Sequence, residues 1–284
     1  MRLLPALLAL ALLPAPPLAA WGRKGHRIVA ALALQDLPAG PRAWFEGQEA
    51  FVEAHSSDPD TWKHDPLEGP RHFLEMERYG DHVPTLVSEA RTQLGPAVFQ
   101  RAGQLPWVIQ DRVKDLAQAF LKGDRTQVAF LASVLSHYVG DLHVPLHTAE
   151  NYDGQRTRQR GVHSRWETGL VDRLAGPAPE VRPAELTRNL YQACWTWLEE
   201  SHALVDGVLR DDRLADPGAT GKAAKPETYW LVFAKTQGPV VREQLSRAGQ
   251  RTAQLILLAW TLAKSPAAPA VEGPVAQAEP KRPD

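Results

Sequence analysis

The segment "DRTQVAFLASVLSHYVGDLHVPLH" (Asp124–His147) decides the fold. Asp124 is placed to cap a helix, and Pro145 cannot continue one, so the pattern predicts a helix between them. Phe130, Leu131, Val134, Leu135 and Val139 surround two polar residues, His137 and Asp141. Those two are four apart and so project from one helical face. With apolar neighbours on either side, that face belongs in or near the core. A buried aspartate needs a partner, and a metal ion is an efficient one.

Outward from this segment the helical period recurs. Trp21 to Leu37 carries Ile28, Val29, Leu32 and Leu34 at helical spacing and is closed by Pro38. Helices are also expected over Leu86 to Arg101 and from Pro106 to Gly123. Others are expected over His163 to Leu174, Ala184 to Val208, Glu227 to Ser246 and Gly249 to Lys264. Glu53 to Pro84 holds turn formers among histidines and aspartates and reads as loop. There is no internal repeat and almost no strand alternation. The expected class is all-α, a single multi-helical domain over residues 21–264.

Composition excludes little but orients the reading. The 284 residues carry a formal net charge of −1, so no global basic field marks a polyanion binder. Residues 1–20 have the order of a secretory signal: Arg2, an apolar run from Leu3 to Leu13, and a small-residue zone from Pro14 to Ala20. The run is short for a membrane span. A mature chain starting at Trp21, secreted or periplasmic, is expected. With Cys194 as the single cysteine, an exported chain would have no internal disulfide. Residues 265–284, rich in Pro and Ala, read as a disordered tail outside the fold.

The chemistry concentrates around Asp141. His147 follows just past Pro145, where the chain can turn back. The next helix opens "VHSRWET", with His163 and Glu167 again four apart. One such pair is commonly a surface ion pair. Two pairs with an intervening histidine, close behind an Asp/His-rich loop, point to a metal site. Nitrogen and oxygen ligands without thiolate suit Zn²⁺ in a catalytic role.

These motifs, with "WGRKGH", "DTWK" and "HFLE" upstream, resemble the zinc-dependent single-strand nucleases of fungi and plants (type I nucleases). That family shares a superfamily with bacterial phospholipase C and is all-α, with a trinuclear zinc cleft. The resemblance covers roughly Trp21 to Arg173. It implies that the mature chain begins at a metal-binding tryptophan, here Trp21, followed five residues later by His26. It implies Asp60 from "DTWK", His72 from "HFLE", and His137, Asp141 and His147 from the central motif. His163 and Glu167 come from "HSRWE". On this resemblance Asp60, His72, His137 and Asp141 hold one zinc, and His147, His163 and Glu167 a second. Trp21, His26 and a bridging Asp141 hold the third. The implied reaction is phosphodiester hydrolysis by water whose pKa the metals lower.

Several positions keep two readings. Lys63 is either a catalytic contact to a phosphate oxygen, beside Asp60, or a solvated lysine. Phe73 and Glu75 stand where the nucleases stack and read a base, and either could equally be packing or surface charge. The family's Asn-Leu before the last His is Gly161-Val162 here, and Glu167 replaces the nucleases' usual Asp. "GVHSRWE" is closer to the phospholipase version. His143 is either an orienting neighbour of a ligand or a helix-end histidine. The expected function is cleavage of single-stranded DNA and RNA to 5′-phosphate products, with three zinc ions per chain. The nucleic acid is the substrate, and the chain acts as a monomer with no protein partner inferred. A zinc-dependent phospholipase C and a non-catalytic zinc-binding periplasmic protein are the alternatives.

Overall fold

The computed structural model describes residues 21–62, 64–80, 83–218, 224–269 and 281–283. In chain order its helices are α1 (Arg23–Asp36), α2 (Ala39–Arg42), α3 (Glu49–His55), α4 (Val87–Leu94), α5 (Pro96–Ala102) and α6 (Leu105–Lys122). There follow α7 (Arg125–Leu142), α8 (Val162–Ser164), α9 (Leu170–Asp172), α10 (Leu190–His202), α11 (Val205–Ala215) and α12 (Glu227–Leu262). Three short 3₁₀ turns, Asp58–Thr61, Gly69–His72 and Met76–Tyr79, shape the loop between α3 and α4. The described residues contain no strand, only a single antiparallel bridge between Leu74 and Gly103. The all-α expectation holds.

Helix α7 is the axis of the molecule. Asp124 caps it by accepting the Gln127 amide at 2.9 Å, and every residue from Val128 to Leu142 is buried. A helix that is apolar on nearly all sides must be enclosed. Helices α1, α3, α6 and α12 supply the enclosure, packing against α7. Tyr138, Leu135, Ile109, Phe120 and Ile256 sit in one core, and Trp21, Val144, Trp166 and Phe233 in a second. Among the described residues no helix is long and apolar enough to cross a membrane.

The boundaries differ from expectation where glycine and proline act locally. Gly95 at φ +75° splits the segment expected as one helix into α4 and α5. Residues 184–189 precede α10 in an open conformation, with the Ala184 amide bonded to the Asp36 carbonyl at 2.9 Å. The two helices expected around Gly249 are one, α12, which runs for 36 residues and carries Pro239 inside it. Gly249 is not a break but a contact: a Cβ there would lie 2.4 Å from Leu32 Cβ on α1. The missing side chain lets the two helices approach.

Gly249→Ala tests that reading. In an open helix the change stabilises by about 1 kcal/mol. Here the overlap falls on the stem of Leu32, and overpacking costs about 1–3 kcal/mol. The expected result is a Tm lower by about 2–4 °C. A rise in Tm would mean that α1 and α12 are not held at this distance.

The described residues of 265–284, expected as a tail, make contacts with the helical domain. The Pro266 carbonyl accepts from two indoles, Trp44 Nε1 at 3.1 Å and Trp260 Nε1 at 2.9 Å. Lys281 exchanges two hydrogen bonds with the Gln127 side chain. The Arg282 guanidinium lies 4.4 Å from the centre of the Trp62 ring. Composition missed these contacts because they use backbone carbonyls and one cation, which leave no apolar period. The expected signal segment, residues 1–20, lies outside the described residues.

Candidate metal centre

Six pieces of chain, α7 among them, bring polar groups to one end of that helix. The helix itself contributes His137 and Asp141, both 0 % exposed. His26 comes from α1, and its ring stacks on that of His137 with centroids 3.9 Å apart. His72 ends a 3₁₀ turn and meets α7 through its Nδ1, 2.9 Å from Asp141 Oδ2 and 3.0 Å from His137 Nε2. His147 sits in the 3₁₀ turn Pro145–Thr148. Its Nε2 lies 3.1 Å from His163 Nε2 and 3.5 Å from Glu167 Oε2.

His163 and Glu167 belong to a continuous helical run over 162–172 that contains a π turn, Arg165–Gly169. Such turns occur often at functional sites. Here His163 Nε2 and Glu167 Oε2 are 2.9 Å apart. Asp60, half-buried in the turn Asp58–Thr61, groups with His26 and His137. Among the described residues, ligand-type atoms within 4.8 Å of one another form three groups: His26/Asp60/His137, His72/His137/Asp141 and His147/His163/Glu167. The last is the set expected together; the others share His137 rather than Asp141. Asp141 nevertheless faces both sides, with Oδ1 3.5 Å from His26 Nε2 and Oδ2 3.3 Å from His137 Nε2.

Trp21 is fully buried, bonded through its indole Nε1 to the Gly140 carbonyl at 2.6 Å and packed 5.1 Å from the Trp166 ring. This anchors the start of the described chain next to Asp141. Phe73 and Glu75, one and three residues after His72, are half-buried, and Glu75 receives Arg78 Nε at 2.7 Å. Burial raises the Glu75 carboxyl above its usual range, against the pull of Arg78. Lys63 lies outside the described residues. His143 turns away from the cluster, toward the Val139 carbonyl and Arg251. Asp58 is occupied by His55 at 2.6 Å.

Three histidines are oriented by backbone carbonyls. His137 Nδ1 lies 2.9 Å from the Ser56 oxygen, His147 Nδ1 2.5 Å from that of His72, and His163 Nδ1 3.2 Å from that of Tyr152. Each contact turns the opposite nitrogen inward. Sequence reading missed these acceptors, and also Glu68, a fully buried carboxylate 3.2 Å from His72 Nε2. Backbone groups carry no sequence signal, and Glu68 lies outside every motif.

The electrostatics favour a cation. Burial pushes the Glu167 carboxyl up to about 8 and pulls His163 down to about 4. Burial also lowers His26 well below the usual imidazole range, with the His137 charge adding to it. His72 goes the other way, to about 9, because the Asp141 and Glu68 carboxylates beside it outweigh its burial. Asp141 is likewise held well below the carboxylate range despite burial, by His137 and His147. A divalent ion at this point stabilises ionised carboxylates and neutral imidazoles together. Both ring nitrogens of His26 and Asp141 Oδ1 are buried without a hydrogen-bond partner. Pairs of imidazole nitrogens face each other at 3.0 and 3.1 Å. These are donors arranged for something between them, and a nitrogen and oxygen set without sulfur fits Zn²⁺.

Residues 21–260 match the S1/P1 nuclease family. The chain belongs to the S1/P1 nuclease family. The match spans the helical domain and all nine residues expected to bind metal. Among solved structures, alpha toxin from Clostridium absonum is similar in fold, with a TM-score of 0.50 and 15 % sequence identity. That alignment covers 87 % of this chain, and the chain spans 66 % of the toxin chain. No protein of curated function matches the sequence.

Proposed function

We propose that this S1/P1 nuclease family member is an exported zinc-dependent phosphodiesterase that cuts single-stranded DNA and RNA and leaves 5′-phosphate products. The observation that carries the reading is the convergence of seven buried imidazole and carboxylate side chains on the end of α7, in a chain of this family. Nine residues would hold three zinc ions: Trp21, His26, Asp60, His72, His137, Asp141, His147, His163 and Glu167. Zinc, when bound, supplies a water of lowered pKa and neutralises charge developing on phosphate oxygens.

The chain's own residues do the rest. The carbonyls of Ser56, His72 and Tyr152 fix three imidazole rings, so ligand geometry does not depend on substrate. Phe73 offers a ring and Glu75 a carboxylate at the rim, where a base can stack and be read by its edge. Lys63 would meet a phosphate oxygen as a point charge rather than bidentately. Cleavage before Trp21 and export follow from the leader composition.

The test uses zinc-loaded protein, analysed for metal and then incubated with denatured DNA and, separately, with phosphatidylcholine. About three zinc ions per chain are expected, with DNA consumed and 5′-phosphate ends formed. Loss of phosphatidylcholine alone would assign the phospholipase reaction, for which "GVHSRWE" with Glu167 is the argument. Loss of neither substrate would leave zinc binding without turnover.

A further inference from the structure

Glu68 has no place in any of the motifs, yet it is among the most enclosed carboxylates in the molecule, with a side chain 0 % exposed. Its two oxygens divide their work. Oε2 faces cations, Arg282 at 2.7 Å and Arg71 at 3.4 Å. Oε1 accepts the Tyr138 hydroxyl at 2.6 Å and lies 3.2 Å from His72 Nε2. Tyr138 directly follows His137 on α7, so this one carboxylate ties the loop carrying His72 to the helix carrying two further ligand-type residues.

The contact matters because of which nitrogen it meets. His72 Nδ1 points into the cluster, toward Asp141 and His137, which leaves Nε2 on the outside. A metal-binding imidazole donates its outer N–H to an acceptor, and that acceptor fixes the ring and sets its basicity. For His137, His147 and His163 the acceptor is a neutral backbone carbonyl. His72 alone has a carboxylate behind its outer nitrogen, at ion-pair distance rather than aligned as a hydrogen bond. We infer that Glu68 is a positioning residue for the metal site, holding His72 by its outer nitrogen and making it the most strongly donating imidazole of the set.

This inference rests on the metal reading above, and its test separates the two. Wild-type, Glu68→Gln and Tyr138→Phe proteins are loaded with zinc and titrated with a chelator of known affinity, and the metal-free forms are melted. Glu68→Gln keeps the size and loses the charge, so one zinc should be released about 10–100-fold more readily, with the others held as in wild type. Tyr138→Phe removes the 2.6 Å hydroxyl bond but leaves the carboxylate on His72. It should lower the Tm of the metal-free protein and keep all zinc. Equal zinc affinity in Glu68→Gln and wild type would overturn the inference while leaving the metal site intact. Equal zinc loss in both variants would also overturn it, since a merely structural strut would respond that way. A wild-type protein that binds no zinc would overturn the metal reading itself.

Discussion

Asp141→Asn is expected to remove activity by at least ~100-fold and to lower zinc content, a larger effect than loss of an outer-shell partner gives. The reason is the position of the carboxylate. Asp141 is 0 % exposed, with Oδ1 toward His26 and Oδ2 toward His72 and His137. In the proposed site it would serve two cations. Asparagine replaces one oxygen with an amide nitrogen that cannot ligate, and it removes the negative charge that separates the ions. The comparison variant is Lys63→Ala, whose proposed role is at the phosphate. It should cut turnover and leave zinc in place. Elemental analysis of both variants decides the matter, and equal zinc loss would contradict the roles assigned to them.

How much of this site is legible in the sequence depends on what each residue leaves behind. His137 and Asp141 are readable because an apolar helix makes two polar residues at i and i+4 conspicuous, and α7 is buried along that whole stretch. His163 and Glu167 are readable by the same spacing, although a π turn carries Glu167. His26, Asp60 and His72 have no such local signature. They were found by likeness to a family, and only the tertiary fold brings α1 and the loop before α4 onto α7. Glu68 was not found at all. Its function is defined by a contact to His72 and Tyr138, and a lone glutamate before Gly69-Pro70 looks like any turn residue.

The fold divides along the same line. The period of apolar residues placed the helices, since burial of one face is what the period records. It did not show that Gly249 joins two expected helices into α12, because a glycine that breaks a helix and one that admits a neighbour read alike. Leu32 on α1 distinguishes them, and it lies more than two hundred positions away. The contacts of Pro266 and Arg282 were equally invisible, being made by a carbonyl and a cation in a segment without apolar pattern.

The start of the mature chain carries the other large effect. Trp21 is 0 % exposed and its indole is fixed to the Gly140 carbonyl, one residue before Asp141. His26, on the first turns of α1, stacks on His137. A Cβ at Gly140 would lie 3.3 Å from both the His26 ring and the Trp21 ring, so residue 21 and His26 share one tight corner of the cluster. In the proposed site the α-nitrogen of Trp21 would be a zinc ligand there. It must then be a free, deprotonated amine. An α-amino group has a pKa of about 8, so a nearby cation can displace its proton near neutrality. A residue left in front turns that amine into an amide, which is no longer a ligand, and places chain where the metal would sit. A cytoplasmically expressed form that keeps Met before Trp21 should therefore lack one zinc and lose about 10-fold or more of its nuclease rate. A form beginning at Trp21 should have both. Mass spectrometry fixes the start of each, after which zinc content and rate are compared. If the two forms match in metal and in rate, the third zinc does not depend on the amino terminus, and Trp21 serves only as a buried anchor for α1.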